Sequence, residues 1–255
     1  MRKYYSPIKQ YSKVKRIHPF YKFTRFMIGL FFPKTDLVWK TEKPDDTEAA
    51  FFVCNHTKLY APIAFLLQKP KIRVWGNYYF LFYSTCWNHL KTKVLPSIKF
   101  HHLLYPLAFL LTPIIVLTFR ALEPIPVYHY SAKIIYDTFG KSIETKNDGI
   151  SQVVFPERTE NKINKYSYEF NRGFPLVSKN YYNKTGKLLK FYPVYCAQKL
   201  HQLVVGDPIE YDPNIPMKKQ REIICNYLQD SIAKLGDSLP AHEPVLYVDK
   251  NENEK

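Results

Sequence analysis

Ala50-Phe51-Phe52-Val53-Cys54-Asn55-His56-Thr57-Lys58-Leu59-Tyr60-Ala61-Pro62-Ile63-Ala64-Phe65 decides how the rest of the chain is read. Its first five residues carry no polar alternation, which is the pattern of a strand buried on both faces. Asn55-His56-Thr57 ends that strand. Pro62, with its fixed φ and missing N–H, is suited to opening the apolar helical segment that follows. His56 therefore falls at a strand-to-helix turn, at the carboxyl end of a strand, where open α/β sheets gather their chemistry. That makes it a candidate general base, although a single histidine often does no more than end a strand.

Outward from this stretch, strands and helices alternate. Leu37–Trp39 reads as an edge strand, followed by an acidic turn at Pro44-Asp45-Asp46; 62–68 begins a helix and 71–76 is the next strand. Residues 77–98 are aromatic and mixed and give no clear period. Residues 100–119 contain no Lys, Arg, Asp or Glu. That length would suit a membrane span of about 20 apolar residues, but Pro106 and Pro113 predict two short helical pieces that dip into a membrane or line a groove. The adjacent pair His101-His102 reads as packing or interfacial, since neighbouring positions rarely converge on one ion.

Further on, Ile125–Val127 reads as a strand, 131–139 as a helix with Gly140 as its C-cap, and Asn147-Asp148-Gly149 as a turn into the strand Val153–Phe155. Residues 158–172 form a polar stretch holding Arg158, Lys162, Lys165 and Arg172, read as a solvated loop, with a face toward an anionic substrate as the alternative. Lys190–Tyr195 and Leu200–Val205 are paired strands ended by Gly206-Asp207-Pro208. Ile215–Leu235 is an amphipathic helix with Pro216 at its start and Gly236 after it. The fold class expected is α/β: a single-domain mixed-sheet sandwich flanked by helices, preceded by an amphipathic membrane-associating segment. Residues 1–40 form that segment, 41–240 the domain and 241–255 a charged tail.

Charge is concentrated at the front. Of a net charge of +15, residues 1–40 hold ten Lys or Arg against the single acid Asp36, or +9. Phe20, Phe23, Met27, Leu30 and Phe31 recur there on one helical face. A basic, aromatic, amphipathic helix suits an anionic membrane surface, where each basic residue adds about 1 kcal/mol. An ordinary core helix is the next reading. A nucleic-acid arm ranks third, because an apolar face contributes little to phosphate contacts. The apolar block Phe26–Phe32 is short, interrupted by Gly29 and stopped by Pro33, so it is not a signal peptide. Cys54, Cys86, Cys196 and Cys225 show neither metal-ligand spacing nor a disulfide framework. Neither a Gly-rich phosphate loop nor a nucleophile elbow occurs, which removes nucleotide hydrolysis and serine esterase chemistry.

Taken in order, four short stretches resemble the motifs of the glycerophospholipid acyltransferase family, the lysophosphatidic acid acyltransferase-like enzymes. They are Asn55-His56 with the following Pro62; Ile125-Pro126-Val127-Tyr128-His129; Phe155-Pro156-Glu157-Arg158-Thr159; and Tyr192-Pro193-Val194. The departures fall on functional positions. The aspartate five residues after the histidine is Ala61, the arginine of the second motif is His129, and the glycine and arginine of the third are Arg158 and Glu160.

The resemblance implies that His56 takes a proton from a lipid hydroxyl as it attacks an acyl thioester, with acyl-CoA or acyl-carrier protein as co-substrate and no bound cofactor or metal. Glu157, or a main-chain oxygen, is the candidate to orient His56 in place of the missing aspartate. Position 61 could also have been the N-cap of the following helix, a role alanine does not fill. Asn55, Thr57, His129, Arg158, Thr159 and Arg172 are the candidate substrate-binding residues, the bases standing in for the missing phosphate-binding arginines. The implied setting is the cytoplasmic side of an anionic membrane, with a lipid acceptor, an acyl donor and no nucleic acid. A full span at 100–119 would separate His56 from the second motif across the bilayer, which the resemblance forbids. A catalytically degenerate homologue that binds lipid or a partner protein is the competing reading.

Overall fold

Strand β2 (Phe51–Cys54) is buried along its whole length in the computed structural model, which describes residues 21–45, 48–97, 101–127 and 132–246. Burial on both faces is why its sequence lacks polar alternation. On one side it pairs in parallel with β5 (Ser151–Val154), and on the other in parallel with β8 (Lys190–Ala197). Beyond β5 lies β3 (Ile72–Asn77), also parallel. Beyond β8 lies β9 (Gln202–Val205), antiparallel, and then the edge strand β1 (Asp36–Trp39), parallel to β9. The order is β1-β9-β8-β2-β5-β3, with the two-residue β10 (Ile209–Glu210) antiparallel to the start of β8. The α/β class and the mixed sheet are those expected from the sequence.

Each face of this sheet has its own apolar layer. Phe52, Cys54, Tyr192, Val194 and Cys196 pack with Ala61, Ala64 and Phe65 of α2 (Tyr60–Leu67). Phe51 meets Trp75 and Phe191 edge-on, at ring centroids 5.6 and 5.0 Å apart, and α6 (Leu176–Thr185) and α7 (Met217–Asp237) bury Val177, Ile224, Leu228 and Ile232. Each such side chain contributes roughly 1.5–3 kcal/mol on full burial.

Contacts divide the described residues into two compact units: the chain up to Phe31 with Gly76–Thr138, and Phe32–Trp75 with the chain from Phe139 onward. The sheet described above belongs to the second.

In the first unit, α1 (Tyr21–Phe31) packs on α4 (Tyr105–Leu122), and α3 (Tyr83–His89) also contacts α4. A short strand, β4 (Ile125–Val127), follows. The two helical pieces expected within 100–119 are one continuous helix. Pro106 sits harmlessly in its first turn, and Pro113 lies inside it. An interior proline costs a helix about 3 kcal/mol through its lost hydrogen bond. Anchors on both sides hold the helix through it: Phe109 against Tyr83 and Trp87, Phe119 stacked on Phe80 at 4.7 Å, and Arg120 Nε donating to the Leu81 carbonyl at 2.8 Å.

Three further expectations are corrected. Residues 158–172 contain a β-hairpin, β6 (Glu157–Lys162) and β7 (Tyr168–Phe170), instead of an open loop. Glu157 to Lys162 are polar on both faces, so no period of two was visible in the sequence. Helix α5 (Ala132–Asn147) runs through Gly140, and the left-handed residue that follows it is Gly149, at φ 73°. Helix α7 likewise runs through Gly236, whose missing Cβ leaves room for the Tyr166 ring; a Cβ there would lie 2.5 Å from it.

Candidate functional site

The chain leaves β2 at Asn55 and reverses within three residues. Lys58 adopts φ 49°, a left-handed conformation that costs a residue with a Cβ roughly 1–2 kcal/mol. The reversal lets the Thr57 carbonyl accept from the Tyr60 N–H (2.9 Å) and the Thr57 hydroxyl accept from the Ala61 N–H (3.0 Å). Thr57 thus supplies the cap considered for position 61, and Ala61 lies inside the helix, fully buried in the apolar layer. The Thr57 hydroxyl also meets Cys196 Sγ at 3.5 Å, and Thr57 is itself fully buried.

Asn55 ties β2 to β8. Its Oδ1 accepts the Cys196 N–H at 2.7 Å, and because that partner is a donor the orientation of the amide is fixed. Nδ2 then faces away, buried and with no hydrogen-bond partner among the described residues. The Asn55 side chain is 1% exposed.

His56 follows directly. As a residue it is partly exposed, while its Nδ1 is buried. The exposed part of the residue therefore lies on other atoms. Its ring packs against Phe155, centroids 5.2 Å apart. Burial pushes its pKa down to about 4, because the charged imidazolium loses its water. At neutral pH the ring is uncharged and able to accept a proton.

Glu157 arrives from the neighbouring strand, three residues past the end of β5 and at the start of β6. Burial pushes its carboxyl up to about 8, opposed in part by the main-chain N–H groups of His56 and Tyr168. Neither carboxyl oxygen reaches hydrogen-bond distance and angle with a donor among the described residues. The two amides therefore act on its charge without closing a bond. At neutral pH Glu157 is a neutral acid, able to donate a hydrogen bond. The carboxyl faces the backbone of His56, whereas the sequence reading has it as a candidate to orient the ring. His56 and Glu157 thus form a pair whose environments drive their pKa values apart in opposite directions, a pattern of acid and base sites.

The candidate anion-binding residues stand on the hairpin and beyond it. Arg158 is half-exposed and pairs with Glu160 at 3.5 Å; Arg172 pairs with Glu169 at 3.9 Å and Glu222 at 3.6 Å; Lys165 pairs with Asp237 at 2.8 Å. Exposed pairs of this kind are worth about 0–1 kcal/mol, so an incoming phosphate can displace them. Thr159 lies on β6. His129 lies outside the described residues. Among the described residues, no group of three or more His, Cys, Asp or Glu side chains could hold a metal ion.

The sequence missed the main-chain N–H of Tyr168, and no side-chain pattern could have revealed it. The tie from Asn55 to Cys196 was hidden for the same reason, since it depends on β8 lying beside β2, 141 residues further along the chain.

No protein-family model matches the sequence, and no curated protein matches it. Among solved structures, the 1-acyl-sn-glycerophosphate (LPA) acyltransferase PlsC from Thermotoga maritima is similar over 87% of this chain and 80% of that one. The sequence identity is 13% and the TM-score 0.48.

Proposed function

We propose that this chain is an acyltransferase of membrane surfaces that moves a fatty acyl group from an acyl thioester to a hydroxyl of a glycerolipid-type acceptor. The observation that carries the reading is the meeting of His56 and Glu157, residues of the first and third family-like stretches, at the carboxyl ends of adjacent parallel strands. In this reading, uncharged His56 takes the proton of the acceptor hydroxyl as its oxygen attacks the thioester carbonyl. The C–S bond of the tetrahedral intermediate then breaks, and the imidazolium returns the proton to the leaving thiolate, giving ester and thiol. No covalent enzyme intermediate is needed.

A histidine whose pKa lies near 4 is a weaker base than an ordinary one, and general-base catalysis works best near the operating pH. An anionic acceptor phosphate beside the ring, or ionisation of Glu157, would raise its basicity. Acyl-CoA or acyl-carrier protein is the donor in this reading, in which Arg158 and Arg172 exchange their surface carboxylates for the acceptor phosphate.

Membrane association is supported by the first unit. Helix α4 forms part of a stretch, His102–Leu122, that is long and apolar enough to cross a membrane by length and composition, yet only 11% of its apolar window is buried. A core helix would be covered. Phe23, Phe26, Leu30 and Phe31 of α1 and Leu107, Leu110 and Ile114 of α4 are exposed, Phe31 to 85%. Together with the basic residues of the first forty, these favour docking on the cytoplasmic face of an anionic bilayer.

A degenerate homologue that binds lipid or a partner protein is the second reading, favoured by Ala61, which fills with a methyl group the place where the family carries its aspartate. Mass spectrometry of the ester formed from a long-chain acyl-CoA, with lysophosphatidic acid and a panel of other acceptors, separates the two. A new O-acyl product that disappears with His56→Ala supports transfer. No product from wild type or from Ala61→Asp, with lipid binding retained, supports the second reading.

A further inference from the structure

At the amino ends of the strands that carry His56 and Glu157 at their carboxyl ends, the second unit holds a separate cavity of about 560 Å³. Its lining comes from the residues before β2 (Glu48, Ala49), the end of α5 (Lys146, Asn147), Gly149 in the turn before β5, the lead-in to β8 (Lys187, Leu188) and Tyr181 of α6. Because β2, β5 and β8 run parallel, this cavity and the His56 site lie at opposite ends of the same three strands. Its size falls within the ~300–1,000 Å³ of small-molecule sites.

The chemistry of the lining is specific. Lys146 is built in: its ammonium donates to the Ala49 carbonyl at 2.6 Å and stands 5.5 Å from the centre of the Tyr181 ring. Lys187 is exposed at the mouth. Burial lowers the pKa of Lys146, Glu48 opposes that, and the charges of Lys190 and Lys187 lower it further, so the ammonium groups are close enough to repel. Lys190 is partly compensated by Glu210 at 3.9 Å. Among the described residues, two ammonium groups thus line the cavity against one carboxylate, Glu48. A cluster of like charges that the fold holds together is relieved by a multiply charged anion. Among the described residues no arginine lines the cavity, so the planar fork that suits carboxylates is missing there, whereas lysine binds phosphate as a point charge.

We infer that this cavity is a second ligand site, for a small phosphorylated molecule whose phosphate sits between Lys146 and Lys187. Asn147 is a polar side chain available to the rest of the ligand, and the Tyr181 ring forms part of the wall. The inference stands independently of the acyl-transfer reading.

The test uses the full chain with inorganic pyrophosphate as probe, by titration calorimetry at constant ionic strength, with chloride as the control anion. Lys187→Ala is the main variant, because Lys187 is exposed and its loss leaves the fold intact; Lys146→Met removes a partly buried anchor and serves only if thermal melting shows it folded. Expected are saturable binding to wild type, a roughly tenfold or greater loss with Lys187→Ala, as for one charge-assisted hydrogen bond, and tighter binding with Glu48→Gln. No saturable binding to wild type, or equal affinity in Lys187→Ala, overturns the inference.

Discussion

The carboxyl group of Glu157 faces the main-chain N–H of His56, so the two residues are coupled through the backbone of the turn that presents the imidazole. Both groups are held in their uncharged forms by burial, one from each end of the pH scale. This coupling gives the site a pH signature that ordinary surface residues lack.

For Glu157 the folded pKa of about 8 lies above its ordinary value of 4.5, so the folded protein holds the proton more tightly than the unfolded chain. The stability tied to this group is complete below pH 4.5 and is lost as pH rises to about 8. The His56 shift, from 6.5 down to about 4, acts only over that lower window, where stability falls as pH drops. Between pH 6.5 and 8 the Glu157 contribution therefore stands apart from that of His56, and about 2 kcal/mol of it should disappear. Denaturant melts of wild type and Glu157→Gln across this range are expected to diverge by that amount, the variant gaining relative stability at high pH. Parallel curves would place Glu157 in an ordinary solvated setting.

Asn55→Ala removes the acceptor for the Cys196 N–H and leaves that donor unpaired in the core. A loss of about 1–3 kcal/mol is expected in urea unfolding. Asn55→Asp, which keeps an acceptor oxygen but buries a charge, should be at least as costly near neutral pH and should recover as the carboxyl is protonated. Equal stability of all three proteins would remove the strand tie.

Gly236→Ala forces a Cβ to within 2.5 Å of the Tyr166 ring and disturbs the hydrogen bond from the Tyr166 hydroxyl to Asp237 at 2.7 Å. Overpacking of this kind costs about 1–3 kcal/mol. Tyr166→Leu should recover part of that loss in the double variant; a strictly additive double variant would mean that the ring and the glycine do not meet.

Replacing exposed apolar residues of the first unit, Phe26 and Leu110, by serine is expected to release the protein from anionic vesicles in a sedimentation assay while leaving the thermal midpoint within a degree or two. Their exposure of 63% and 69% means that little core packing is lost. Unchanged vesicle binding would remove α1 and α4 from the docking surface.

Much of the sheet was legible in the sequence because its strands are apolar runs ended by clear breakers. Phe51–Cys54 and Lys190–Tyr195 fell where the patterns put them, while the strand read at Val153–Phe155 is Ser151–Val154 and the one read from Leu200 begins at Gln202. In α4 tertiary contacts overrode a local rule. Pro113 was held within α4 by aromatic anchors, and Gly236 lies in the last turn of α7, against the Tyr166 ring. The hairpin after Glu157 lacked an apolar face to read. At the site, the sequence pointed to His56 and Glu157 as residues but not to how they meet, since the carboxyl approaches the histidine through a backbone amide. Thr57 was read as a candidate substrate contact, and no sequence pattern showed that its hydroxyl also accepts the Ala61 N–H.

The most direct measurement is thiol release from a long-chain acyl-CoA in liposomes, with and without a glycerolipid acceptor, for wild type and His56→Ala. If His56 is the base, release by wild type depends on the acceptor and falls by about 10²–10⁴-fold in the variant. Equal acceptor-dependent release from both proteins would contradict a catalytic role for His56 and leave the buried histidine as a residue that merely ends a strand.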